Sequence, residues 1–161
     1  MIKFFDLEKQ DKSLHKSILR DIKKLFKRGD FILGKEVLKF EKNFAKFCES
    51  NYAISCANGT DALTIALKSL NLEKNSEVII PAMTYCSTAF SVINANLKPV
   101  LVDTEPFKPT IDASKIKKKI TSKTKVIMPV HLYGSAANLN AIKKIIKKNC
   151  IFLIDDCAQA H

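Results

Sequence analysis

An α/β fold with a mostly parallel sheet, covered by helices on both faces, is predicted by three features of the 161-residue sequence. Five short apolar runs, 52–56, 78–80, 100–102, 126–130 and 151–154, have the length and composition of strands. Stretches of helical periodicity lie between them. The runs are apolar throughout, not alternating, which is the pattern of strands buried on both sides.

In chain order, residues 12–28 come first, with Leu14, Ile18, Ile22 and Leu25 at intervals of three and four and Gly29 as a stop signal. Residues 35–49 repeat the pattern with Val37, Phe40, Phe44 and Phe47. The strand–helix alternation then begins, with helices expected at 60–70, 86–95, 113–120 and 139–148. Asp112 and Asn138 stand where N-caps belong for the last two. No repeat, low-complexity run or linker interrupts the chain, so residues 1–161 read as one domain.

Composition narrows the function classes. At 47% hydrophobic the chain can bury one core, and no apolar run approaches the roughly 20 residues a membrane span needs. The start of the chain lacks a secretory leader, and a soluble cytoplasmic protein with no membrane partner is expected. The five cysteines are odd in number and form no C-x-x-C pair, so packing as small buried hydrophobes is expected in place of disulfides or metal ligation. The net charge is +11, yet Arg20 and Arg28 are the only arginines. Nucleic-acid recognition leans on the arginine fork, so no nucleic-acid partner is expected. The lysines at 115, 117, 118, 119, 143, 144, 147 and 148 read as solvated helix faces.

In parallel α/β sheets ligands bind beyond the carboxyl ends of the strands, so the residues there carry the functional argument. After the first run comes Asn58-Gly59-Thr60-Asp61, at a strand-to-helix junction. A glycine there admits close backbone approach, and the helix N-terminus offers unpaired amides for a phosphate, with the Thr60 hydroxyl as a further donor. The glycine count matches neither a Walker loop nor a dinucleotide fingerprint, and a plain capped helix start fits the same residues. After the second run, Tyr85 offers a flat face to a planar ring, or packs in the core. After the last run stand Asp155 and Asp156, then Gln159. Adjacent carboxylates behind a buried strand need a positive partner. A metal would serve, but no nearby ligand set completes a shell; a protonated pyridine nitrogen would also serve. Phosphate cradle, stacking face and carboxylate together are the binding inventory of pyridoxal 5'-phosphate (PLP).

The chain resembles the DegT-type (DegT/DnrJ/StrS) PLP-dependent sugar aminotransferases. The resemblance rests on Phe31-Ile32-Leu33-Gly34, Phe40-Glu41, Asn58-Gly59-Thr60-Asp61-Ala62-Leu63, Pro81-x-x-Thr84-Tyr85-x-x-Thr88, Lys98-Pro99-Val100-x-Val102-Asp103, Pro129-Val130-His131-Leu132-Tyr133-Gly134 and Asp156-x-Ala158-Gln159-Ala160, in family order. It implies the large domain of fold type I, the aspartate-aminotransferase-like fold, with sheet order 3-2-4-5-6-7-1; the five runs would be the first five strands, leaving 52–56 without a neighbour. It implies that amides around Gly59, Thr60 and Asp61 hold the cofactor phosphate and that Tyr85 stacks on the ring. Asp156 would pair with the ring nitrogen as the catalytic carboxylate, and Gln159 would bond the phenolic oxygen. No metal is implied. Asp155 stands where the family usually has Glu, and Asn96 where it usually has Gly; Asn tolerates positive φ, so that turn survives.

The implied reaction is transfer of an amino group, from glutamate, to a keto sugar linked to a nucleotide, for amino-sugar and surface-polysaccharide biosynthesis by a homodimer. Phe5-Asp6-Leu7 and the run 53–60 lean toward members that aminate 3-keto nucleotide sugars. The family's Schiff-base lysine is expected roughly 30 residues past the Asp156 motif, beyond His161, so this chain is expected to be the N-terminal part of a longer protein, or a truncated gene product, and inactive alone. A histidine at that position would instead mark a sugar dehydratase-like relative, and regulatory relatives are a further alternative.

Overall fold

The computed structural model describes residues 12–147 and 149–160. Phe5-Asp6-Leu7, Lys148 and His161 lie outside them. The chain divides into two compact units, the first ending at Ser55 and the second beginning at Cys56.

The first unit holds helix α1 (Lys12–Arg28) and helix α2 (Lys35–Phe47), both where the periodicity places them. Gly29, at φ +67°, closes α1 in the left-handed conformation that favours glycine, and its amide donates to the Leu25 carbonyl at 3.0 Å. The short turn that follows is held by Asp30, which accepts from the Lys35 amide at 3.2 Å, and by a 2.9 Å ion pair between Arg28 and Glu36. Gly34 caps α2; a Cβ there would stand 2.7 Å from the Asp30 carbonyl oxygen. Residues 52–56, predicted as a strand, form none. A strand needs a neighbour to receive its backbone groups, and no strand pairs with this segment among the described residues. The Ser55 amide donates instead to the Glu41 carboxylate at 2.7 Å.

The second unit is a parallel four-stranded sheet with helices on both faces. Its strands are β1 (Glu77–Pro81), β2 (Lys98–Val102), β3 (Thr124–Ile127) and β4 (Phe152–Leu153), in spatial order β2-β1-β3-β4. That order is the 3-2-4-5 portion of the implied sheet. Helices α3 (Gly59–Ser69), α4 (Ser87–Asn94), α5 (Ala113–Ile116, continued as a 3₁₀ turn to Lys119) and α6 (Leu139–Ile146) connect and cover it. Asp112 and Asn138 cap α5 and α6 through their side chains, as the sequence indicates. Asn96 sits at φ +60°, the left-handed turn expected of it.

Period-two geometry sends successive strand residues to opposite faces. Val78, Ile80, Val126 and Met128 meet Leu67 of α3 and Val92 of α4 in one core. Ile79 and Ile127 meet Ile116 of α5 and Ile142 and Ile145 of α6 in the other. The central strand β1 is buried along its whole length, whereas edge strand β2 is partly exposed. Pro99 is tolerated in β2 because an edge position leaves one side of the strand without a ladder. The cysteines depart from expectation. All five are exposed, because each lies in a loop or at a helix end instead of on an inward strand or helix face.

Candidate active site

With all four strands parallel, their carboxyl ends share one side of the sheet, and the loops that follow build a cavity of about 260 Å³. Gly59 and Thr60 from α3, Tyr85 and Ser87 after β1, and Asp156 and Gln159 after β4 all line it. Five of the six residues singled out in the sequence are thereby gathered in one place. Asp61 is the exception, being absent from the lining.

The α3 end explains why. Asn58 is the N-cap; its side-chain oxygen accepts from the Asp61 amide at 2.9 Å, and its NH₂ donates to the Asp61 carboxylate at 2.9 Å. The amides of Gly59 and Thr60, in the first helical turn, have no intrahelical acceptor by geometry, and both residues line the cavity. A Cβ at Gly59 would meet no protein atom within 4 Å, so glycine here keeps the cradle open and relieves no clash. The Thr60 hydroxyl donates to Ser87 Oγ at 2.8 Å, joining the starts of α3 and α4.

Tyr85 is 70% exposed, which rules out the core-packing reading of this aromatic. Thr84 and Thr88, on either side of it in sequence, share a 2.8 Å hydroxyl pair, with Thr88 buried. Thr84 and Thr88 stand in the motif that carries the resemblance but were given no site role, and Ser87 was given none either.

Asp156 is 9% exposed. Its backbone extends the β3–β4 ladder, donating to the Pro129 carbonyl at 3.0 Å and accepting from the His131 amide at 3.1 Å. One carboxylate oxygen accepts from the Ala158 amide at 3.1 Å, and the other takes no partner among the described residues. Asp155 points elsewhere: its carboxylate lies 3.9 Å from His131 Nε2. The buried His131 accepts the Ala137 amide at Nδ1, 3.0 Å, so a neutral ring carries its proton on Nε2, toward Asp155. The two adjacent carboxylates are thus separated, one facing a histidine and one facing the cavity. Gln159 Oε1 accepts from the Tyr133 amide, which the left-handed Tyr133 (φ 56°) presents to it. With that oxygen engaged, the Gln159 NH₂ is the group left to donate.

A larger groove, about 890 Å³, is lined by Glu105, Asp112, Lys117, Asn138 and Lys144. It contains none of the predicted site residues, and the two helix starts at its edge are already capped by Asp112 and Asn138.

A parallel sheet in this order, with its polar cluster at the strand ends, is the large-domain architecture of fold type I aminotransferases. The chain belongs to the DegT/DnrJ/EryC1/StrS aminotransferase family, which matches residues 12–161. It is 40% identical, over its whole length, to a dTDP-3-amino-3,6-dideoxy-alpha-D-galactopyranose transaminase of Aneurinibacillus thermoaerophilus, and covers 44% of that protein. It is 41% identical over 99% of its length to a UDP-2-acetamido-2-deoxy-3-oxo-D-glucuronate aminotransferase of Pseudomonas aeruginosa, covering 45% of it. The crystal structure of NtdA from Bacillus subtilis, with bound cofactor PMP, superposes with a TM-score of 0.93 at 31% identity, over 99% of this chain and 37% of that one. The chain therefore spans less than half the length of the relatives it matches.

Proposed function

We propose that the protein is a PLP-dependent aminotransferase that replaces the keto oxygen of a nucleotide-linked sugar with an amino group, glutamate being the amino donor. It works as a cytoplasmic homodimer in amino-sugar and surface-polysaccharide biosynthesis. The observation that carries the reading is the content of one cavity: two helix-start amides, an aromatic face, an amide NH₂ and a buried carboxylate with one oxygen that takes no partner among the described residues. Those groups fit the phosphate, ring face, phenolic oxygen and ring nitrogen of PLP in turn. When bound, PLP supplies an electron sink next to the amino group being moved.

The residues would act as follows. The Gly59 and Thr60 amides and the positive end of α3 hold the phosphate dianion. Tyr85 covers one ring face and excludes water from it. The second carboxylate oxygen of Asp156 would hold a proton on the ring nitrogen, and burial strengthens that interaction. Gln159, fixed by the Tyr133 amide, donates to the phenolic oxygen. The net charge of +11 favours approach of an anionic nucleotide sugar. The relatives' names support a dTDP- or UDP-linked keto sugar aminated at carbon 3 as the substrate class.

The test is to incubate the full-length protein with glutamate and 3-keto nucleotide sugars and to follow 2-oxoglutarate. PLP-dependent formation is expected. Absence of 2-oxoglutarate with dTDP- and UDP-linked keto sugars alike would overturn the proposal.

A further inference from the structure

We infer that His131 is a positioning residue for this cavity: its imidazole closes the loop from His131 to Ala137, and the closed loop sets which end of the Gln159 amide faces the ligand. The inference rests on the cofactor reading above.

Three main-chain amides fix the loop. The His131 amide donates to the Asp156 carbonyl at 3.1 Å, the Tyr133 amide to Gln159 Oε1, and the Ala137 amide to His131 Nδ1 at 3.0 Å. A backbone N–H only donates, and the chain sets its direction, so the acceptor in each bond is decided. Gln159 therefore turns its oxygen to Tyr133, and His131 keeps Nδ1 free of a proton. The Gln159 NH₂ is the end that remains for the cavity Gln159 lines. His131 is not among the lining residues, so its effect on a ligand passes through the loop.

The bond at Nδ1 shapes the other two. It spans six residues between two buried ends, His131 at 5% and Ala137 at 6% exposure. Within the span Tyr133 sits at φ 56°, ψ 25° and Gly134 at φ +78°. The left-handed region is disfavoured for a side chain with a Cβ, so Tyr133 stays there only while its surroundings hold it. Letting it relax would re-aim the peptide groups on either side, the amide that meets Gln159 among them. Asp155 does not share this task, because its carboxylate lies 3.9 Å from His131 Nε2, beyond hydrogen-bond reach. One buried acceptor on an imidazole thus decides whether the site offers a donor to the phenolic oxygen.

The test uses the full-length protein and two probes titrated by calorimetry, pyridoxamine 5'-phosphate and its 3-deoxy analogue, which lacks the phenolic oxygen. The ratio of the two affinities reads the Gln159 bond and cancels everything the probes share. A hydrogen bond to a charged group sets the scale, so the parent should favour the first probe by about tenfold or more. His131→Asn, whose side-chain oxygen can stand in for Nδ1, should keep that ratio. His131→Gln, whose amide reaches the Nε2 position instead, should bring it close to unity, as should Gln159→Ala. Combining His131→Gln with Gln159→Ala should change the ratio no further, because His131 acts through Gln159. Thermal melts establish that the variants are folded. Nitrogen NMR of the parent, which needs no variant, should find His131 Nδ1 unprotonated. A parent-like ratio in His131→Gln, however far both affinities fall, equal ratios in the Asn and Gln variants, or a proton on Nδ1 overturns the inference. A parent that binds neither probe removes the cofactor reading itself, and one that binds both alike takes Gln159 out of the phenolic-oxygen role.

Discussion

Asp156, a lining residue of the cavity, gives one carboxylate oxygen to the Ala158 amide, and the other takes no partner among the described residues. Asparagine can keep the first through its own oxygen while turning an NH₂ toward the cofactor nitrogen. In the full-length protein Asp156→Asn should therefore leave the melting temperature close to the parent's and lower transamination by roughly two orders of magnitude or more. Turnover near the parent's would take Asp156 out of that role. Glu77 serves stability. Its pKa is held below the usual glutamate value by the 2.6 Å hydrogen bond from Thr121, against desolvation that raises it, with Lys98 helping. A depressed folded-state pKa contributes stability that is present above the ordinary value of 4.5 and lost as pH falls through the folded one. Thr121→Val should cost about 1 kcal/mol near neutral pH and flatten the acid limb of a urea-midpoint profile. An unchanged limb would show that Thr121 does not set the Glu77 titration. Residue type, with a helix-start pattern for Gly59 and Thr60 and strand-end position for Tyr85, Asp156 and Gln159, pointed to residues that line one cavity. The Asn58 cap that occupies the Asp61 amide, and the hydrogen bond between the Thr60 and Ser87 hydroxyls, are matters of where side chains turn, which spacing does not encode.

At the scale of elements, helices and central strands were legible because periodicity reports burial, and burial is what forms them. Residues 52–56 have strand composition and no ladder, since a strand also needs a partner and composition carries no information about one. The cysteines failed for a related reason: residue type suggests burial, but loop position decides it. The α1–α2 turn shows a constraint that the Phe31-Ile32-Leu33-Gly34 motif contains without explaining. Gly34 is buried against the Asp30 side chain and carbonyl, and a Cβ would collide with backbone. Gly34→Ala should force the turn open and cost roughly 1–3 kcal/mol, read as a lower midpoint in urea. Gly59→Ala meets no atom and should leave stability within about 1 kcal/mol. Equal losses at both sites would show that helix-start backbone preference outweighs the contact at Gly34.

At the scale of the whole chain, the apolar surface sets the behaviour in solution. Leu14, Ile18, Ile22 and Phe26 recur every four residues along one face of α1, and each is 41–69% exposed. Ile32 and Ile54 are each 86% exposed. Monomers rarely leave contiguous apolar surface of this kind uncovered. The sheet edges are less inviting, because β2 carries Lys98 and Pro99 and β4 is two residues long. Self-association of a 161-residue polypeptide should therefore run through helix faces. Charge opposes it: at +11 the chains repel, and salt screens that repulsion within about 10 Å at 0.1 M. Sedimentation velocity on residues 1–161 should show species larger than a monomer, increasing with ionic strength, and Ile18→Glu with Ile22→Glu should reduce them. Association that weakened with salt would identify charge pairing as the driving force, and a monomer at every concentration would show that the α1 face is not adhesive.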